Sequence, residues 1–311
     1  MYNLFMVKEN LPLGLFEKHR AALGLSDPLM VEDERALFAK LPAPAASAVI
    51  FLPKSKALID MTLSIVSGMV ERGGTIVLAG ANDAGIRSAK DAYEKNIGPV
   101  REKIVGNHSA LYVGTNEGRG AGKSVEDFIS YAPIASDGTD VEAAVLPGVF
   151  SVGQLDEGTK LLLSHIPYDK KSVLDIGSGS GVIGAIYKKK NPESALTLAD
   201  ASPLSVLASK KTLERNGISG TVLESDVFDA IAGRFDLILC NPPFHKGVGT
   251  DYTFIERFAR GAKPRLAHGG AVYIVANSFL NYEETLQKHI GRTETVANDG
   301  KFKVLRSTTA V

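Results

Sequence analysis

The sequence predicts an α/β protein made of two tandem doubly wound, Rossmann-like sheets, the first a degenerate copy of the second. Three observations carry that expectation. From Ser172 onward, short apolar runs alternate with segments of helical periodicity, the pattern of repeated β-α units on a parallel sheet. A glycine-rich turn, Asp175-Ile176-Gly177-Ser178-Gly179-Ser180-Gly181, joins the first of these strands to its helix. Three stretches of the first half recur in the same order in the second: residues 48–54 parallel 237–243, 73–79 parallel 269–275, and 106–113 parallel 297–304.

In the second half, residues 172–176 read as a strand, followed by the glycine turn and a helix over 182–191. Residues 195–200 form the next strand and 203–216 its helix, closed by Gly217 in the left-handed position that favours a residue without Cβ. Strands follow at 221–224 and 235–240, then a helix over 252–262 and a strand over 271–276. The apolar-polar alternation of 302–306 suits an edge strand. Ligands of such sheets bind beyond the carboxyl ends of the strands. The glycine turn, Asp200, Asp226 and Asn241 all fall at such ends.

The first half keeps the strand punctuation and loses the chemistry. Residues 1–47 contain no Gly-x-Gly-x-Gly, and Leu52 stands where Asn241 stands in the second half. A leucine cannot accept a hydrogen bond, so this half is expected to be catalytically silent. Residues 80–85 read as a turn into a helix near Ile86 rather than a phosphate loop. Residues 115–122, rich in glycine and carrying Arg119, read as a surface loop or linker, and Asp137-Gly138 as a hairpin turn. The expected division is a silent domain over 1–130 and a catalytic domain over 131–311.

With 311 residues, two domains are expected. A hydrophobic share of 44% and a charged share of 23% fit a soluble globular protein. Cys240 is the one cysteine, which excludes an internal disulfide and fits a reducing, cytoplasmic setting. No signal peptide, no bilayer-spanning run and no metal site are expected. Thirty-five basic residues balance thirty-five acidic ones, which argues against nonspecific nucleic-acid binding and requires any RNA-facing charge to be local.

Gly177, Gly179 and Gly181 let the backbone approach a ligand, and the following helix N-terminus favours an anionic group. A dinucleotide would satisfy that pattern too. Asp175 separates the two, since its carboxylate repels a pyrophosphate and attracts the ammonium or sulfonium of S-adenosylmethionine. Asp200 can accept the hydroxyls of a ribose. Asp226 can accept from an adenine amino group, with Val227 and Phe228 covering the ring.

Asn241-Pro242-Pro243-Phe244 is the discriminating element. A ring-conjugated amine is a poor nucleophile because its lone pair is delocalised. The Asn241 side-chain oxygen and the Pro242 carbonyl can accept from the amine and localise that pair, while two prolines remove competing N–H groups. Phe244 can stack on the ring. Methyl transfer then needs positioning and a dry site more than a strong base.

These residues resemble the class I S-adenosylmethionine-dependent methyltransferases that act on amino nitrogens. Leu146-Pro147-Gly148-Val149-Phe150-Ser151, Leu155-Asp156-Glu157-Gly158-Thr159, Asn241-Pro242-Pro243-Phe244-His245 and Gly300-Lys301-Phe302-Lys303-Val304 resemble more narrowly the bacterial ribosomal RNA guanine-N2 methyltransferases of the RsmC/RlmG type. The first half is similar at Leu52-Pro53-Lys54-Ser55-Lys56 and Gly85-Ile86-Arg87-Ser88. The resemblance implies a duplicated fold with a silent first copy, a lid role for Phe150 and Ser151, and guanine N2 of rRNA, foremost small-subunit 16S rRNA, as the target. His245 and Lys246 are then placed to touch the base or a phosphate.

Candidate phosphate contacts are Lys188 to Lys190, the cluster Arg257, Arg260, Lys263 and Arg265, and Lys301, Lys303 and Arg306, with the second group favoured. Expected partners are ribosomal RNA or the small subunit, with a monomeric enzyme. Rival readings keep the chemistry but change the target to protein glutamine or adenine N6, or keep only an RNA-binding assembly role. A nicotinamide oxidoreductase lacks any evident hydride site here.

Overall fold

The computed structural model describes residues 6–150, 153–242 and 248–309, with side chains from residue 12 in the first stretch and from 253 in the last. The chain forms two compact units that divide between Ile129 and Ser130.

The first unit contains α1 (Met6–His19), β1 (Leu29–Val31), β2 (Ala45–Phe51), α2 (Lys56–Met69), β3 (Val70–Ala81), α3 (Lys90–Asn96), β4 (Glu102–Gly106) and β5 (Ser109–Thr115). Its sheet runs β1-β2-β3-β5-β4, parallel through β3 and antiparallel on either side of β5. Central strands flanked by helices must bury both faces, so β2 and β3 carry the unbroken apolar runs Ala48-Val49-Ile50 and Ile76-Val77-Leu78, all fully buried. Leu15 and Phe16 of α1 pack with Val49, Val77 and Leu111.

The second unit opens with the hairpin β6 (Ser130–Ser136) and β7 (Thr139–Val145). Asp137 and Gly138 turn it at φ 46° and 74°, the left-handed pair a two-residue hairpin loop requires. Then follow α4 (Glu157–Leu163), β8 (Ser172–Ile176), α5 (Val182–Lys190), β9 (Ala195–Asp200), α6 (Pro203–Arg215), β10 (Thr221–Glu224), β11 (Phe235–Cys240), α7 (Val248–Ala262), β12 (Leu266–Asn277), α8 (Glu283–His289), β13 (Thr293–Asn298) and β14 (Phe302–Thr308). The sheet order is β10-β9-β8-β11-β12-β14-β13, with β14 the one antiparallel strand. Side chains alternate between two cores: Val173, Leu237 and Leu239 pack with Leu162, Ile183 and Tyr187, whereas Leu174, Ile176, Ile238 and Cys240 pack with Phe258 and Leu286.

Two elements depart from the sequence reading. β14 is not an edge strand: β13, which went unpredicted, pairs outside it. β12 begins at Leu266 rather than Ala271, because Gly269 (φ 72°) and Gly270 bend the strand instead of ending it. A Cβ on Gly270 would stand 2.8 Å from the Phe235 carbonyl oxygen, so the glycine admits a close backbone approach.

The two sheets share a plan. β1-β2-β3-β5-β4 repeats β8-β11-β12-β14-β13 in order and direction, and the three recurrent stretches fall on matching strands. Among the described residues, the first unit has no counterpart of β9 or β10, the strands that end in Asp200 and lead to Asp226.

Candidate active site

Strand order reverses between β8 and β11, which makes the crevice beyond their carboxyl ends the topological switch point of the sheet. Ile176 pairs with Cys240, so the glycine turn and Asn241 leave adjacent strands side by side.

Gly177, Gly179 and Gly181 have φ of 73°, 56° and 78°, where an L side chain is strained. Their surroundings differ. A Cβ on Gly181 would lie 3.0 Å from Ser209 Cα of α6 and 3.1 Å from Leu198 of β9, so this glycine serves close packing. A Cβ on Gly177 would meet nothing within 4 Å, and one on Gly179 would meet only Phe150, whose carbonyl oxygen lies at 3.9 Å and Cβ at 4.0 Å. Phe150 is 57% exposed and lies beside the turn, where the implied lid would act. The turn is anchored by the N–H groups of Gly177 and Ser178, which donate to Ala199 O at 2.8 and 3.1 Å. The Ser209 hydroxyl donates to Gly179 O at 3.0 Å.

Asp200 ties this turn to the end of β9. Its Oδ2 accepts from Gly179 N and its Oδ1 from Ser202 N, both at 2.9 Å. Burial raises its pKa against the lowering effect of those bonds. Asp175 lies deeper than the sequence suggests. It is fully buried in β8, with Oδ2 accepting from Gly184 N at 3.2 Å and Oδ1 without a partner among the described residues. Burial, aided by the nearby Asp200 charge, pushes its pKa up to about 7.

Asn241 is half-buried and Pro242 buried. Asn241 Nδ2 donates to Thr159 Oγ1 at 2.8 Å and lies 3.4 Å from each oxygen of Asp156. Asp156 caps α4: its Oδ1 accepts from Thr159 N at 3.0 Å, and its Oδ2 accepts from the Thr159 hydroxyl. Asn241 Oδ1 is buried and has no hydrogen-bond partner among the described residues. Sequence reading assigned Asp156 and Thr159 no role. Their one local signal is an N-cap aspartate with a hydroxyl residue three positions on. Pro243, Phe244, His245 and Lys246, like Ser151, lie outside the described residues.

Asp226 follows β10 and is gripped by Arg257, which donates to its Oδ2 at 2.5 Å, to its carbonyl at 3.1 Å and to Asp229 at 2.7 Å. Next to it Val227 sits at φ 54°, a costly conformation for a β-branched residue, and is buried with Phe228.

Most of the basic residues expected to meet RNA have partners within the chain. Arg257 is committed to Asp226 and Asp229, and Arg260 to Glu256 at 2.6 Å. Arg265 donates to three backbone carbonyls. Lys188 and Lys189 donate to Ser194 O and Asp140 O, and Lys190 pairs with Asp137. Lys301, Lys303 and Arg306 pair with Glu157, Glu283 and Glu294. With equal numbers of acids and bases in the chain, much of the local positive charge is neutralised where it stands. Among the described residues no helix is long and apolar enough to cross a membrane, and no group of three or more His, Cys, Asp or Glu is placed to hold a metal ion.

The methyltransferase small domain model matches residues 140–306 and its N-terminal counterpart matches 17–131. The chain is 39% identical to the ribosomal RNA small subunit methyltransferase C of Aeromonas hydrophila, over 85% of this chain and 78% of that one. It is 36% identical to the protein of that name in Salmonella choleraesuis, over 85% and 76%. The structure of the T. thermophilus 16S rRNA N2 methyltransferase RsmC, in complex with AdoMet and guanosine, superposes with a TM-score of 0.76 at 26% identity, covering 88% of this chain and 75% of that one. By these matches and its two-unit plan, the chain belongs to the methyltransferase small domain family, alongside the ribosomal RNA small subunit methyltransferases C.

Proposed function

We propose that this S-adenosylmethionine-dependent methyltransferase places a methyl group on the exocyclic N2 of a guanine in small-subunit 16S ribosomal RNA. The observation that carries the reading is the buried Oδ1 of Asn241, unpartnered among the described residues, at the end of the strand that neighbours the one leading into the open Gly177. A buried acceptor left unpaired costs stability, and a ligand that donates to it recovers that cost.

The residues present fit the cofactor. The turn at Gly177 and Gly179 offers backbone without side chains, Asp200 stands at the end of β9 with a carboxylate that ribose hydroxyls can share with its local donors, and Val227 and Phe228 form an apolar wall beside Asp226 for adenine. The Asp175 oxygen that has no partner among the described residues suits a nearby cation, which would hold the carboxyl ionised. Bound there, S-adenosylmethionine supplies an electrophilic methyl carbon.

The chain's own residues prepare the nucleophile. Asn241 Oδ1 and the Pro242 carbonyl accept the two amine protons, which draws the nitrogen lone pair out of conjugation. Phe244 stacks on the base, and Phe150 closes over the glycine turn to exclude water. His245 and Lys246 contact the base or its phosphate, and Arg257 and Arg260 reach RNA only by exchanging their present carboxylate partners. No strong base is required, because the amine becomes acidic on methylation.

Guanine is favoured over adenine N6 or a glutamine amide because position 244 is Phe rather than Tyr and because the T. thermophilus relative was captured with guanosine. The first unit is read as non-catalytic: Leu52 replaces Asn241, and it packs so closely on Gly80 that a Cβ there would stand 2.9 Å away. The enzyme is read as a cytoplasmic monomer acting on ribosomal RNA or the small subunit. Mass-spectrometric mapping of methylguanine in rRNA from cells with and without this protein tests the reading. A site that loses its N2 methyl in the deletion supports it, and an unchanged map overturns the target.

A further inference from the structure

We infer that Asp156 and Thr159 are positioning residues that fix the Asn241 side chain with its oxygen, and not its amino group, presented to the substrate amine. This deepens the role proposed for Asn241 and rests on it.

A primary amide has two ends of similar shape and opposite hydrogen-bonding character, so an asparagine that must accept needs something to prevent its rotation by half a turn. Here the arrangement is one of directed protons. An ionised Asp156 can only accept. It takes the Thr159 backbone N–H on Oδ1 at 3.0 Å and the Thr159 hydroxyl proton on Oδ2. With its single proton spent on Asp156, Thr159 Oγ1 has only lone pairs left to offer Asn241. A donor must face it, and Nδ2 does so at 2.8 Å. Both carboxylate oxygens, 3.4 Å from Nδ2, add a field that attracts the amino end and repels the carbonyl end. Rotating the amide would lose that bond and set oxygen against three oxygens.

The remaining end of the amide, Oδ1, is then buried without a partner among the described residues. The fold thus tolerates an unsatisfied acceptor at the end of β11 while fully satisfying the donor beside it. That asymmetry is what an acceptor-only task requires.

The support is itself rigidly held. Gly158, between the two residues, lets α4 settle against the sheet: a Cβ there would lie 3.2 Å from Asp156 Oδ1, 3.3 Å from Phe302 and 3.4 Å from Val275. Lys301 pairs with Glu157 from the start of β14. The first turn of α4 is thereby packed against β12 and β14 of the sheet that carries the site.

The test is a set of single substitutions in the full chain, read by single-turnover rate on RNA substrate, calorimetric Kd for S-adenosylmethionine and melting temperature. Thr159→Val keeps the shape and removes the hydroxyl. The rate should fall about 10–100-fold, the scale expected of a misdirected reacting group, with Kd for the cofactor unchanged. Thr159→Ser should restore it. Asp156→Asn keeps an oxygen to cap Thr159 N but directs an N–H at the hydroxyl, which then donates toward Asn241 and favours the rotated amide, so the rate should fall equally. A Thr159→Val protein with unaltered rate, or a loss that tracks weakened cofactor binding, overturns the inference. If Thr159→Val and Asp156→Asn fail to fold, Thr159→Ser decides, because an inactive but folded serine protein contradicts it. Asn241→Ala, measured in parallel, separates the two levels. Activity retained there removes the proposed role of Asn241 itself, whereas an inactive Asn241→Ala beside a fully active Thr159→Val removes only the orientation device.

Discussion

Ile176 and Cys240 are paired across neighbouring parallel strands, and the residues that follow them, Gly177 and Asn241, leave the sheet together at its switch point. That register brings an open stretch of backbone and a buried amide to one crevice. The chemistry depends on it, because a slip of one residue would turn Asn241 to the other face of the sheet.

Asn241→Ala should lower the methyl-transfer rate by about 100-fold or more, the usual cost of losing one preorganised polar contact to the reacting group. Cofactor Kd should change little, and the melting temperature should fall only by the loss of the Nδ2 bond to Thr159, because Oδ1 has no partner among the described residues. Single-turnover kinetics and thermal melts read the two effects separately.

The glycines of the turn should divide by role. Gly181→Ala adds strain at φ 78° to a contact 3.0 Å from Ser209 Cα, and should appear chiefly as a loss of stability in urea unfolding. Gly177→Ala meets no neighbour, so beyond roughly 1–2 kcal/mol of left-handed strain its effect should fall on S-adenosylmethionine affinity.

Asp175 should make the cofactor-free protein less stable as pH rises. Its folded pKa of about 7 exceeds the unfolded value near 3.9, so the folded state holds the extra proton between those limits. Stability then declines across that window by up to about 1.4 kcal/mol per pH unit, and the loss is complete above pH 7. Asp175→Asn cannot ionise and keeps an oxygen for Gly184 N. Its melting temperature should therefore exceed the parent's by more at pH 8 than at pH 5, with weaker cofactor binding. Parallel melts across pH that leave the gap constant would contradict this.

Arg257→Ala should reduce stability and disturb cofactor binding through Asp226, while leaving the salt dependence of RNA binding nearly unchanged, since its charge is already spent. The exposed Lys263 is the contrasting probe. If it meets a phosphate, Lys263→Ala should lower the slope of log affinity against log salt by about one.

Much of the second unit was legible in the sequence because its signals are local. The strands at 172–176, 195–200, 221–224 and 235–240 match β8 to β11, and Gly217 closes α6 at φ 62°. Where glycines are read as breaks, the sequence misleads: Gly269 and Gly270 bend β12 without ending it. β13 escaped notice because its half-buried residues give no clean alternation.

The sequence by itself determined the order of strands and turns, the left-handed glycines and the presence of Asn241 after a buried strand, since each is written in a few consecutive residues. Only the tertiary structure decided which end of the Asn241 amide the described residues hold, how deeply Asp175 is buried, and that Arg257 is already paired. Those outcomes depend on partners far along the chain, such as Thr159 for Asn241 and Asp226 for Arg257. Hydrogen bonds and desolvation act through space, and a linear pattern does not record which groups folding will bring within 3 Å of one another.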